Sequence, residues 1–204
     1  MSACSYLLIG LEGIENADIE QRLKRNGHRA IRESNVGAGE PIDGVVLQTQ
    51  GPALGTAFLD VSDNDMRDAL ARFVGVIGSL QQALQRIRPG GSIVVVTSRG
   101  YLGARGGAQE MAFSAAIVAL IRSVALECMS RRVRANVIAV EFKREPQERR
   151  TPGESPGPSD APGSVADIAA FLLSEESGLI NGYVLLADNG RSLQMREARD
   201  PHRR

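Results

Sequence analysis

Gly10-Leu-Glu-Gly13-Ile-Glu15 follows a short apolar run and opens an amphipathic stretch. A glycine turn between a strand and a helix lets backbone approach a pyrophosphate, which then sits on the helix N-terminus. The carboxylates of Glu12 and Glu15 oppose that chemistry. At about 4 Å and an effective dielectric near 20, each carboxylate beside a phosphate charge costs roughly 4 kcal/mol, an upper-end figure. Glu15, Asp18 and Glu20 would instead complement the positive end of the first helix, the electrostatic part a phosphate would otherwise play. A two-glycine turn also has a purely structural reading, tight packing of strand against helix. Metal chemistry finds no footing: Cys4 and Cys128 lie far apart and make no ligand pair, and the simple reading is a reduced, cytoplasmic chain.

The elements that must position these residues follow from pattern. In 204 residues one domain is the default, with enough chain for a sizeable core. Acidic and basic residues balance at 24 each, so no strongly charged body points to nucleic acid or an anionic membrane. Aromatic residues are few and Trp is absent, which argues against a stacking platform for bases or sugars. Residues 6–11 are apolar but lack a basic leader, so neither a signal peptide nor a membrane span is expected.

Short β-branched runs alternate with longer amphipathic stretches, the pattern of an α/β parallel sheet with crossover helices. Strands are expected at 5–11, 28–32, 44–48, 92–98, 134–141 and 183–187. Their near-continuous apolar character fits strands covered on both faces. Helices are expected at 16–26, 63–88, 109–130 and 165–174, with Gly27 stopping the first and Pro89-Gly90-Gly91 the second. Residues 33–43 are too few for a helix plus a strand, so one βαβ unit is missing there. Residues 143–163 hold five of the nine prolines and read as a mobile loop; 196–204 read as a polar tail to a domain spanning 1–195.

Taken in order, Gly91-Ser-Ile-Val-Val-Val-Thr-Ser98, a glycine-rich turn, a helix with Arg122-Ser-Val-Ala-Leu-Glu127, then Arg132-Val-Arg-Ala-Asn-Val137 and Asn181-Gly-Tyr-Val-Leu-Leu-Ala-Asp-Asn-Gly190 resemble the short-chain dehydrogenase/reductase family. The likeness is good from residue 43 to 190 and weak over the first 34. It implies a shortened, doubly wound Rossmann-like sheet of about six strands.

The resemblance also implies site roles. Ser98 matches the serine that orients the substrate carbonyl; it also reads as a strand-end hydroxyl that satisfies local backbone. The family's tyrosine and lysine positions fall on Met111 and Ala115. A thioether has no proton to give, and a methyl cannot lower a phenol's pKa. Loss of the general acid alone forfeits on the order of 10²–10⁴ in rate. The family's helix asparagine falls near Arg72. Tyr101, three residues after Ser98, is the one nearby phenol, and no lysine stands at a useful spacing. The cofactor turn is one residue short, with Glu15 where the last glycine belongs. The Asn-Ala-Gly turn becomes Thr49-Gln50-Gly51, and the Pro-Gly pair becomes Val140-Glu141, which brings an acid towards the nicotinamide position. NAD or NADP is therefore not expected to bind tightly.

What remains is association surface. Residues 111–126 are apolar nearly all round, and the preceding helix has a broad apolar face with Phe73, Val74, Val76, Ile77, Leu80 and Leu84. In the family these two helices form the four-helix bundle of a dimer, and the closing strand supports a second contact. Three readings stay open. One is a non-catalytic subunit, a homo-dimer or tetramer or the partner of an active homologous reductase. Another is an atypical NAD(P)-dependent oxidoreductase using Ser98 and Tyr101. The third is a small-molecule binding module in the remnant cleft between Gly10, Gln50, Ser98 and Met111.

Overall fold

The computed structural model describes residues 3–10, 14–33, 39–49, 56–103, 106–141 and 165–193, with only backbone for 14–17. The predicted loop at 143–163 and tail at 196–204 lie outside these. Strand β1 (Ser5–Ile9) leads through α1 (Ile14–Arg25) to β2 (Arg29–Arg32) and then β3 (Ile42–Gln48). Helix α2 (Asp63–Leu84), β4 (Ile87–Ser98), α3 (Ala108–Glu127), β5 (Arg134–Val140), α4 (Val165–Leu173) and β6 (Val184–Ala187) follow. All six strands pair in parallel in the order β2-β1-β3-β4-β5-β6.

The apolar runs are strands because both faces are covered. Val94 to Thr97 in β4 are fully buried, as are Val45 and Val46 in β3. Alternation then divides the core. Leu7, Ile9, Val45, Leu47 and Val95 face α2 and α3, while Leu8, Val46, Val94 and Val96 face α1 and α4.

The missing unit leaves β2 as an outer strand, paired only with β1 among the described residues. It is short and charged, which blunts an edge that could otherwise recruit another strand. Glu20 accepts from Arg32 at 2.8 Å and from Lys24 at 2.6 Å, and Arg29 pairs with Glu40. Glu20 thus pins α1 to β2 rather than serving the helix N-terminus, because its carboxylate finds two cations closer than the first turn.

Gly27 stops α1 as predicted, with φ +80° and the His28 N–H returning to the Leu23 carbonyl at 3.0 Å. Pro89-Gly90-Gly91 does not stop α2. That helix ends at Leu84, and Ile87 already pairs with Ile42. The Pro-Gly-Gly segment forms an irregularity inside β4, where a side chain on Gly91 would collide with Ile87 and the Asp43 carbonyl. A helix stop and a strand bulge use the same residues; burial of Ile87 decides between them.

The sequence motifs 132–137 and 181–190 are structural stitches. Arg134 gathers the carbonyls of Leu172 at 3.0 Å and Ser174 at 2.9 Å, closing the C-terminus of α4. Asn136 donates to the Ile180 carbonyl at 2.9 Å and accepts from the Tyr183 N–H at 3.0 Å. By length and composition α3 could cross a bilayer. Its Ile117, Val118 and Ile121 are buried against the sheet, as in a core helix.

Candidate functional site

In a doubly wound sheet, ligands bind outside the carboxyl ends of the strands. Ser98 ends β4 there, and it is buried. Its Oγ accepts the Gly100 N–H at 3.0 Å, capping the 3-10 turn Arg99–Leu102. Tyr101 lies in that turn, half-buried against the core under α2 and α3.

From the first turn of α3, Met111 reaches back over the same spot. A methyl group on Gly100 would overlap Met111 Sδ and stand 3.0 Å from Ser98 Oγ. The thioether therefore fills the space beside the serine. Ala115, one turn further on, is exposed. Among the described residues the one lysine is Lys24, on α1 and engaged with Glu20.

At the end of β1, Gly10 has φ +68°, and a side chain there would collide with the Gln48 carbonyl of β3. Close approach of two strands, rather than of strand and helix, accounts for this glycine. Gly13, Glu12, Gln50, Gly51 and the side chain of Glu15 lie outside the described residues. Thr49 is bound to the neighbouring strand: its N–H donates to the Val96 carbonyl at 2.9 Å and its hydroxyl to Thr97 Oγ1 at 3.1 Å.

Glu141, just past β5, sits between two arginines. Arg99 Nη2 lies 3.0 Å from one carboxylate oxygen, and Arg191 Nη1 pairs with the other. Burial alone would raise its pKa, but hydrogen bonds from Arg99 and Arg191 outweigh this and hold it below the usual carboxylate range. Asp188 is similar. Burial pushes its carboxyl up, while hydrogen bonds from the Ser192 hydroxyl and N–H and the Gly190 N–H bring it below the ordinary value. The ends of β4, β5 and β6 are thereby clasped by charge, with the acid neutralised by protein cations.

Beside this corner lies an open cavity of about 270 Å³ between the ends of β1 and β3 and helices α2 and α3. Ile9, Leu47, Phe73, Val76, Phe113 and Ile117 supply apolar wall; Glu33, Arg72 and Glu110 also line it. Arg72 on α2 pairs with Glu110 on α3, so its guanidinium is already engaged. Neither Ser98 nor Met111 lines this cavity.

A family model described as enoyl-(acyl carrier protein) reductase matches residues 29–192. The chain belongs to the short-chain dehydrogenase/reductase family. The match begins at β2 and leaves out β1 and the Gly10 turn. An oxidoreductase of this family from Burkholderia thailandensis is similar in structure, at TM-score 0.77 and 20% identity over 97% of this chain and 98% of that one. A short chain dehydrogenase from Leptospira borgpetersenii with bound NAD+ superposes at TM-score 0.75 and 15% identity, covering 93% of each chain. A family protein from Francisella tularensis gives TM-score 0.73 and 17% identity over 95% of this chain and 100% of that one. At these identities the solved structures share the fold. No curated protein sequence matches the chain.

Sequence reasoning passed over Glu33, Glu110, Arg99 and Arg191. For Glu33 a signal existed: an acid about 20 residues beyond a glycine turn, at the end of the second strand, is where dinucleotide folds hold ribose hydroxyls. For the others there was none, because their partners come from elements 38 to 50 residues away.

Proposed function

We propose that this chain is a non-catalytic short-chain reductase subunit that works by association, with itself or with an active homologous reductase. The observation that carries the reading is the Met111 thioether packed on Gly100 beside Ser98. Hydride transfer to a carbonyl needs a proton donor at that point, and sulfur in a thioether has none. The methyl of Ala115 supplies no cation, and Glu141 between Arg99 and Arg191 stands where the family places a Pro-Gly pair beside nicotinamide. These residues do not fit NAD(P) chemistry.

Association is supported by the outward side of α2. Met66, Leu70 and Val74, spaced at helical turns, are all exposed, and small residues Ala112, Ala115 and Ala119 line the outer side of α3. Tyr183 and Leu186 are exposed at β6. We place the chain in the cytoplasm, in keeping with Cys4 and Cys128 standing as thiols outside any disulfide. Calorimetry with NAD(H) and NADP(H) is expected to show no micromolar binding, and sedimentation at micromolar concentration a dimer or larger species. Micromolar cofactor affinity, or a monomer that captures no homologous reductase on co-purification, would overturn the reading.

A second reading is favoured by Glu33, which sits where an acid could meet a ribose. It is an atypical NAD(P)-dependent oxidoreductase with Ser98 orienting a carbonyl or enoyl substrate and Tyr101 moving the proton. Turnover on a panel of carbonyl and enoyl thioester substrates, abolished by Tyr101→Phe, would establish it.

A further inference from the structure

The cavity under α2 differs from the filled corner around Ser98, and its lining specifies a ligand. We propose that it binds a small, uncharged aromatic molecule bearing a hydroxyl group.

The aromatic preference comes from Phe73 and Phe113, one from each helix, which stack with centroids 5.6 Å apart and planes inclined at 30°. The chain has five phenylalanines and no tryptophan, so two of its few aromatic rings meet on this wall. Offset stacking extends readily to a third planar ring. Ile9 and Leu47 close the opposite side from the sheet, apolar groups that an aromatic ligand would cover.

The hydroxyl preference comes from Gln48, which lines the cavity. Its Oε1 is buried and no hydrogen-bond donor meets it among the described residues, so it is an acceptor awaiting an O–H. A buried acceptor of this kind costs stability until a donor meets it. Charge sets the last condition. Arg72 is taken by Glu110, and Glu33 adds a further negative charge, so among the described residues the lining has no free cation to hold a carboxylate.

Neither Ser98 nor Met111 lines the site, so its failure would leave the subunit reading standing; Glu33, which does line it, is shared with the oxidoreductase reading. Gly75 offers the test. It lines the cavity, and a Cβ placed on it meets nothing within 4 Å. Gly75→Leu should fold well, since glycine inside a helix is unfavourable, and its side chain should intrude on the cavity.

The experiment titrates the full chain with 1-naphthol, read by naphthol fluorescence against a protein without tryptophan, with 1-naphthoate as the charged counterpart. Saturable single-site binding below about 1 mM is expected. The affinity should fall at least tenfold in Gly75→Leu, whose own melting temperature is unchanged or higher. Naphthoate should bind at least tenfold more weakly than naphthol. Absence of saturable naphthol binding, equal affinity in Gly75→Leu, or tighter naphthoate binding would each overturn the proposal. Cofactor calorimetry and sedimentation report on the subunit reading independently.

Discussion

Two neighbouring places at the carboxyl edge of the sheet differ sharply. Around Ser98 the space is full: Met111 lies over Gly100, the serine hydroxyl is bound to backbone, and Glu141 is gripped by two arginines. Between β1, β3 and α2 the space is open, although Ile9, Leu47, Phe73 and Ile117 give it an apolar wall. The first place is closed by Met111 and by the Arg99–Glu141–Arg191 ion pairs. In the second, α2 buries only Ala69, Leu80 and Ala83 of its 22 residues, and Phe73 and Val76 face the cavity. The lesson is that a side chain reaching across a strand end closes the space beside it, whereas an open wall under a loosely held helix keeps room for a ligand.

The largest effect is expected at Gly10. Gly10→Ala puts a methyl against the Gln48 carbonyl at positive φ, and should destabilise the fold by about 3 kcal/mol. Thermal or urea denaturation reads this directly. A loss below about 0.5 kcal/mol would mean the strands can part there, and that the glycine is not held by packing.

Gly100→Ala sharpens the contrast at the filled corner. Overpacking against Met111 should cost about 1–3 kcal/mol, and in a Met111→Ala background most of that penalty should vanish. Additive effects in this double-mutant cycle would show that Met111 does not occupy the space.

The smallest effect concerns the charged clasp. Glu141 and Asp188 both have folded pKa values below their ordinary ones. Their contribution is present above the unfolded carboxylate pKa and is lost as pH falls through the lowered folded values. Melting temperature should therefore drop on acidification below about pH 4. The drop should be shallower in Glu141→Gln, even though that variant is less stable at neutral pH.

Much of the fold was legible because burial on both faces writes itself as uninterrupted β-branched runs, as in residues 92–98. The missing βαβ unit was legible as an interval too short to hold one. Pro89-Gly90-Gly91 misled, because bulge and helix stop share a composition and only the pairing of Ile87 with Ile42 separates them. Glu20 misled in the same way, its cations being supplied by tertiary contact with β2.

By itself the amino-acid order determined the alternation of elements, the family likeness and the presence of sulfur and methyl at 111 and 115, since each is a local pattern of side-chain types. Tertiary structure alone decided what surrounds them. The Met111–Gly100 contact, the Arg99–Glu141–Arg191 clasp and the cavity under Phe73 and Phe113 are set by how the crossover helices lie on the twisted sheet. That geometry brings together groups that share no sequence neighbourhood.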